Sequence, residues 1–165
     1  MITVVEHPAL LHFSYEDMLR YSGPGSPAGV AVACQAMARA FSLLDPREPL
    51  ERRVIDIDTA FRGPGARDAF ELVTRSLTDG RYVVTTELER PERGVTLAQF
   101  VFRFRYRGLA VTLLVRPGMI SDEFIALART DGRGEEEERR FTALKAAHAE
   151  ALMAADPADI FDVEG

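Results

Sequence analysis

The sequence predicts an α+β fold in which a long buried helix and further helices pack on a largely antiparallel sheet. Three observations carry that expectation. Ala28 to Leu44 is apolar nearly throughout, the pattern of a helix enclosed on most sides. Leu97 to Arg107 alternates, so that Phe100, Phe102, Phe104 and Tyr106 share one strand face and Arg103, Arg105 and Arg107 the other. Gly108 then turns the chain into the apolar run Leu109 to Arg116, which makes an antiparallel hairpin.

The other elements follow in order. Ser14 with Asp17 three residues on is a capping pair for a short helix over Tyr15 to Arg20. The breaker-rich stretch Tyr21 to Gly29 forms a hinge, and its Ser26-Pro27 supplies an N-cap and a first-turn proline for the central helix, which Asp45-Pro46 ends. Arg53 to Thr59 alternates Ile55 and Ile57 against Asp56 and Asp58, as a half-buried strand does. A second glycine loop, Phe61 to Ala66, opens a helix over Arg67 to Leu77 that stops at Asp79-Gly80. Arg81 to Leu88 reads as a strand and Asp122 to Arg129 as a short helix. From Glu135 a longer helix begins, with four carboxylates at its positive dipole end and Phe141, Leu144, His148 and Leu152 as its seam.

The length of 165 residues fits one core, so a single domain over 1–165 is expected, with 135–165 a C-terminal helix and tail docked on the body. A formal charge of −6 argues against phosphate-backbone affinity, so no nucleic-acid partner is expected. The lone Cys34 makes no internal disulfide and no stretch reads as a signal or a membrane span, which points to a cytoplasmic protein with no membrane partner. Of the 20 basic residues only Lys145 is lysine, a bias that GC-rich coding explains as readily as carboxylate or phosphate recognition does.

Chemical motifs are sparse. There is no His-Glu-x-x-His, no paired-cysteine spacing and no Gly-x-Ser-x-Gly elbow. His148 lies on an apolar seam and reads as a packed histidine. His7 and His12, five residues apart near Glu16 and Asp17, could serve a metal or proton-transfer site or be structural. Cys34 sits in the most apolar helix, where a thiol behaves as a small hydrophobe. Asp56 and Asp58 share a strand face that reads as solvated. The two glycine-proline loops each precede a helix, whose free amides can receive an anion; each alone is also explained as a tight turn.

Ser22-Gly23-Pro24-Gly25-Ser26-Pro27-Ala28-Gly29 before a long apolar helix, then Gly65-Ala66-Arg67-Asp68-Ala69 running on to Thr74-Arg75-Ser76-Leu77, then the paired strands from Gln99 and Gly108, form an ordered set. Over roughly Tyr21 to Val115 this order resembles the FmdE-like family, named after a component of formylmethanofuran dehydrogenase. The resemblance implies a mixed sheet with helices packed on it and homodimerisation. The family carries His-x-His-x-Cys-Pro-Gly at the first helix, where this chain has Ser22, Pro24 and Ser26. Its later cysteines correspond to Gly65 and approximately Ser76. Hydroxyls and glycine do not replace imidazole and thiolate as ligands of a soft or borderline ion, so no metal and no cofactor is expected.

The expected function is therefore metal-free binding of a small polar or anionic molecule between the Ser22 to Gly29 and Gly63 to Asp68 loops. The candidate residues are Tyr21, Ser22, Ser26, Gly65, Asp68 and Ser76, with His7 and His12 held in reserve. The Arg103, Arg105 and Arg107 stripe would add positive potential. Asp68 could equally brace its loop. The alternatives are a hot-dog-like acyl-transfer or thioester hydrolase enzyme with Asp68 or Glu71 as base, and a non-catalytic accessory protein of a larger assembly.

Overall fold

A computed structural model describes residues 1–165. Strands β1 (Ile2–Glu6) and β2 (Ala9–Phe13) form a hairpin, and helices α1 (Tyr15–Ser22) and α2 (Pro27–Leu44) follow. β3 (Leu50–Glu51) leads through a tight turn at Arg52–Val54 into β4 (Asp56–Thr59), then α3 (Pro64–Thr74) and β5 (Tyr82–Val84). A second hairpin of β6 (Val101–Tyr106) and β7 (Leu109–Val115) precedes α4 (Asp122–Ala128), α5 (Glu135–Ala154), α6 (Pro157–Ile160) and β8 (Phe161–Glu164).

The fold is α+β, as its patterning predicts, but the strands divide between two mixed sheets rather than one. The orders are β2-β1-β3 and β5-β4-β6-β7-β8. β1 with β3 and β4 with β5 run parallel, and the other pairs are antiparallel. The aromatic face of β6 supplies the core beneath the helices. Phe102 and Phe104 are fully buried, and Phe70 of α3 meets them edge-on at 5.9 and 5.7 Å between ring centroids. Burying each such ring contributes about 1.5–3 kcal/mol.

α2 lies across this core and packs on α1, α3, α5 and β7. By length and composition it would also suit a bilayer span, but here most of its apolar side chains are enclosed by the rest of the chain. Its one buried polar residue, Gln35, donates its amide to the carbonyls of Leu152 and Ala155 at 2.8 and 2.9 Å, which ties the end of α5 to the middle of α2. α1 starts at the expected capping box, in which Ser14 and Asp17 satisfy each other's backbone amides.

Several boundaries differ from the sequence expectation for identifiable reasons. α3 begins three residues early, because Pro64 suits a first helical turn, and ends at Thr74, where Arg75 takes a left-handed conformation (φ 55°). Arg52 and Arg81 close that end by donating to the carbonyls of Leu72, Val73 and Thr74. Of the strand expected over Arg53 to Thr59 only Asp56–Thr59 pairs, since β3 belongs to the other sheet and the chain turns between them. The strand expected over Arg81 to Leu88 keeps only Tyr82–Val84, because Thr85 caps a tight turn behind it. Leu97 to Phe100 is coiled, its amides taken by the carbonyls of Gly94 and Leu97, so β6 starts at Val101. The β1–β2 hairpin and β8 have no counterpart in the sequence expectation.

Candidate functional site

The two glycine-proline loops do converge. α2 and α3 cross at their N-terminal ends so closely that a Cβ placed on Gly65 would sit 2.5 Å from the carbonyl oxygen of Ser26 and 3.1 Å from the amide nitrogen of Val30. Only glycine allows that approach. Both helices open on proline, and neither Ser26 nor Gly63 at the N-cap uses a side chain to cap the following amides. The positive ends of two helices therefore lie side by side.

In front of them lies a cleft of about 500 Å³, within the usual range of small-molecule sites. Its back wall holds Gly25, Ser26, Gly29 and Gly65, and α4 and the start of α5 form the opposite wall. α4 is held there by α5. The His148 ring stacks at 4.7 Å from Phe124, its Nε2 accepts from the Ser121 amide at 3.1 Å, and its Nδ1 donates to the Leu144 carbonyl at 2.8 Å. Bonded to backbone through both ring nitrogens, His148 is a structural joint between α4 and α5. Arg140 braces the same wall from α5 through Glu123 at 2.7 Å.

The lining is electrically one-sided. Arg62, Arg129, Arg133 and Lys145 face the cleft with no aspartate or glutamate among the lining residues, in a chain whose formal charge is −6. Two of these cations are already engaged. Arg133 pairs with Glu138 at 2.8 Å and donates to the carbonyls of Leu127 and Thr130, closing the end of α4. Lys145 donates to the Gly25 carbonyl at 3.1 Å, linking α5 to the first glycine loop. Arg62 and Arg129 are exposed, and their guanidiniums have neither a hydrogen-bond nor an ion-pair partner within the chain. Four phenylalanines share the lining: Phe61 stacks on Phe100 at 4.5 Å, and Phe124 meets Phe141 at 5.6 Å. A neighbouring depression of about 710 Å³ lies beyond α4, shares Ile125 and Arg129, and includes the carboxylate of Asp122.

The sequence candidates distribute unevenly around this geometry. Ser26 and Gly65 line the cleft. Ser22 and Asp68 do not line it; the Ser22 hydroxyl donates to Asp68 Oδ2 at 3.0 Å, and Asp68 also receives Arg67, so the pair ties α1 to α3 behind the wall. This is the bracing role for Asp68. Tyr21 is 54% exposed on the last turn of α1 and is absent from the lining. Ser76 is fully buried past the far end of α3, where Thr74 donates to its hydroxyl at 2.8 Å. His7 turns the β1–β2 hairpin, and His12, on β2, bonds Thr3 at 2.9 Å. Neither histidine reaches the cleft, and no three His, Cys, Asp or Glu side chains converge anywhere in the chain. The positions where the resemblance would set metal ligands hold hydroxyls, a proline and a glycine, so the residues present do not fit a transition ion.

The arginine stripe, Arg103 and Arg105 on β6 and Arg107 in the turn after it, does not serve the cleft. Arg105 bonds both oxygens of Asp58 at 3.1 and 3.2 Å, Arg103 donates to Thr112, and Arg107 pairs with Glu51. Asp56 and Asp58 of the adjacent strand thus neutralise Arg105 and Glu51 of β3 neutralises Arg107, and none of the three arginines lines the cleft. Burial pushes the Cys34 thiol up to about 11, consistent with a packing group rather than a nucleophile. Of the two acids considered as bases, Glu71 is buried and accepts from the hydroxyl and amide of Thr78 and from Arg75. Its carboxylate is committed to the turn after α3.

No family model matches this chain, and no curated protein matches it. Fold and site together define a class: an α+β protein with a cationic, aromatic-lined cleft at two crossed helix N-termini.

Proposed function

We propose that this chain binds a small anionic molecule in the cleft between the Ser22 to Gly29 and Gly63 to Asp68 loops, without a metal. The observation that carries the reading is the concentration of four cations, and no carboxylate, on one cleft of an otherwise acidic chain. Local positive potential in a concave, partly apolar site raises the concentration of anions there and strengthens each contact made. Two uncapped helix ends behind the cations act in the same direction. The loop-helix pairing is also what a divergent FmdE-like protein stripped of its metal ligands would retain, and that ancestry, with its homodimer, belongs to the proposal.

No observation favours the hydrolase alternative, because Asp68 and Glu71 are both committed to neighbours outside the cleft. Amide-resolved NMR titration with citrate tests the reading. Shifts should gather at Gly25, Gly65, Arg129 and Arg133 and vanish in the Arg62→Gln/Arg129→Gln double variant. Shifts that scatter over the surface, or that persist in the double variant, overturn it.

A further inference from the structure

We infer that the occupant of this cleft is a planar, conjugated ring system carrying at least two negative charges; the inference rests on the anion-binding reading and specifies its ligand. The charge count comes from the free cations. Arg133 and Lys145 are engaged by Glu138 and by the Gly25 carbonyl, whereas the guanidiniums of Arg62 and Arg129 have no partner within the chain. Two open guanidiniums among the lining residues, one from the loop before α3 and one just past the end of α4, match two anionic groups or one doubly charged group.

The planarity comes from the rings that line the same cleft. Phe61 and Phe100 stack at 4.5 Å on one side, and Phe124 and Phe141 meet at 5.6 Å on the other. Arg133 and Lys145 already lie over the Phe141 ring, each 4.5 Å from its centroid, whereas Phe61 and Phe124 line the cleft only partly buried and carry no cation. An inorganic anion would leave those two rings wet and most of the roughly 500 Å³ unfilled. A flat ring covers the phenyl surfaces, and guanidinium groups themselves stack on conjugated systems as well as pairing with anions. The lining amide of Gln99 adds one donor and one acceptor for a ring substituent.

Calorimetric titration with three probes tests this: naphthalene-1,5-disulfonate as a flat dianion, inorganic pyrophosphate as a non-aromatic polyanion, and 2-naphthalenemethanol as a neutral ring. The disulfonate should bind at least tenfold more tightly than either of the others. Phe61→Leu, which keeps an apolar side chain at the wall, should weaken the disulfonate several-fold and leave pyrophosphate unchanged; Arg62→Gln/Arg129→Gln should weaken both. Pyrophosphate binding as tightly as the disulfonate removes the ring while keeping an anion cleft. Equal binding of the neutral ring removes the charge requirement, and absence of binding by both anions sinks the underlying reading as well. Circular dichroism of each variant confirms that folding is intact.

Discussion

Replacing Gly65 with alanine separates the helix crossing from its neighbours in a single step. The new methyl carbon would lie 2.5 Å from the Ser26 carbonyl oxygen, 2.8 Å from Ser26 Cβ and 3.1 Å from the Val30 amide nitrogen. Ordinary contact begins near 3.4 Å, so α2 and α3 must move apart by about 0.9 Å at this point. Two of the three obstacles are backbone atoms, which no side-chain rotation relieves. Overpacking of this kind costs about 1–3 kcal/mol, and the gain in helix propensity from Gly to Ala offsets at most about 1 kcal/mol. For a chain of this size a net loss of about 1–2 kcal/mol lowers the melting temperature by roughly 2–8 °C. Gly29 faces the same crossing, but an added Cβ there meets nothing closer than 3.4 Å, so Gly29→Ala collects the propensity gain without the clash. Differential scanning calorimetry of both variants gives the comparison. Gly65→Ala melting at or above wild type, or Gly29→Ala falling as far, would refute the account of the crossing.

Gln35→Leu should destabilise the chain by about 1–3 kcal/mol, because the Ala155 carbonyl loses its side-chain donor and the Leu152 carbonyl keeps only the 3.4 Å bond from the Ala155 amide. Hydrogen exchange should show the loss concentrated in the last turns of α5; a uniform loss would contradict the anchoring role. Glu71 supplies a pH test. Burial alone would raise its pKa, but hydrogen bonds from Thr78, the Leu77 amide and Arg75 outweigh burial and hold it below the ordinary carboxylate value. A depressed acid contributes stability that is complete above the unfolded value of about 4.3 and is lost as pH falls through the folded one. Urea midpoints should therefore separate wild type from Glu71→Gln clearly at pH 7 and much less at pH 3; a pH-independent gap would count against this linkage.

The central helix, the β6–β7 hairpin and the Ser14 cap are legible in the sequence because each is written in a local period or a local residue pair. The β1–β2 hairpin is not, since its five-residue strands meet at His7-Pro8 rather than at an Asn-Gly or Asp-Gly turn. β8 is four residues long and follows directly on a helix, too short for alternation to stand out. The site divides in the same way. Gly65 and Ser26 announce themselves through their loops, whereas Arg129, Arg133, Phe141 and Lys145 reach the cleft only because α4 folds back on α5 through His148. Nothing near those residues in the chain signals that return. The β6 arginines mislead for the opposite reason: alternation places them on one face, but only strand pairing reveals that Asp56 of β4 sits opposite Arg105 and that Asp58, two residues along, reaches it diagonally.

The final strand has a consequence for assembly. β8 pairs with β7 along Thr112 to Val115, and Phe161 seats its ring in the core, yet the segment joins the body through Ala155 and Asp156, beyond the end of α5. If that segment swings out, β7 is left with a bare apolar edge that the same segment of another molecule completes contact for contact. Exchange of this kind substitutes identical interactions and loses little besides the entropy of association. Concentrated refolding is the circumstance in which two molecules would trade their tails.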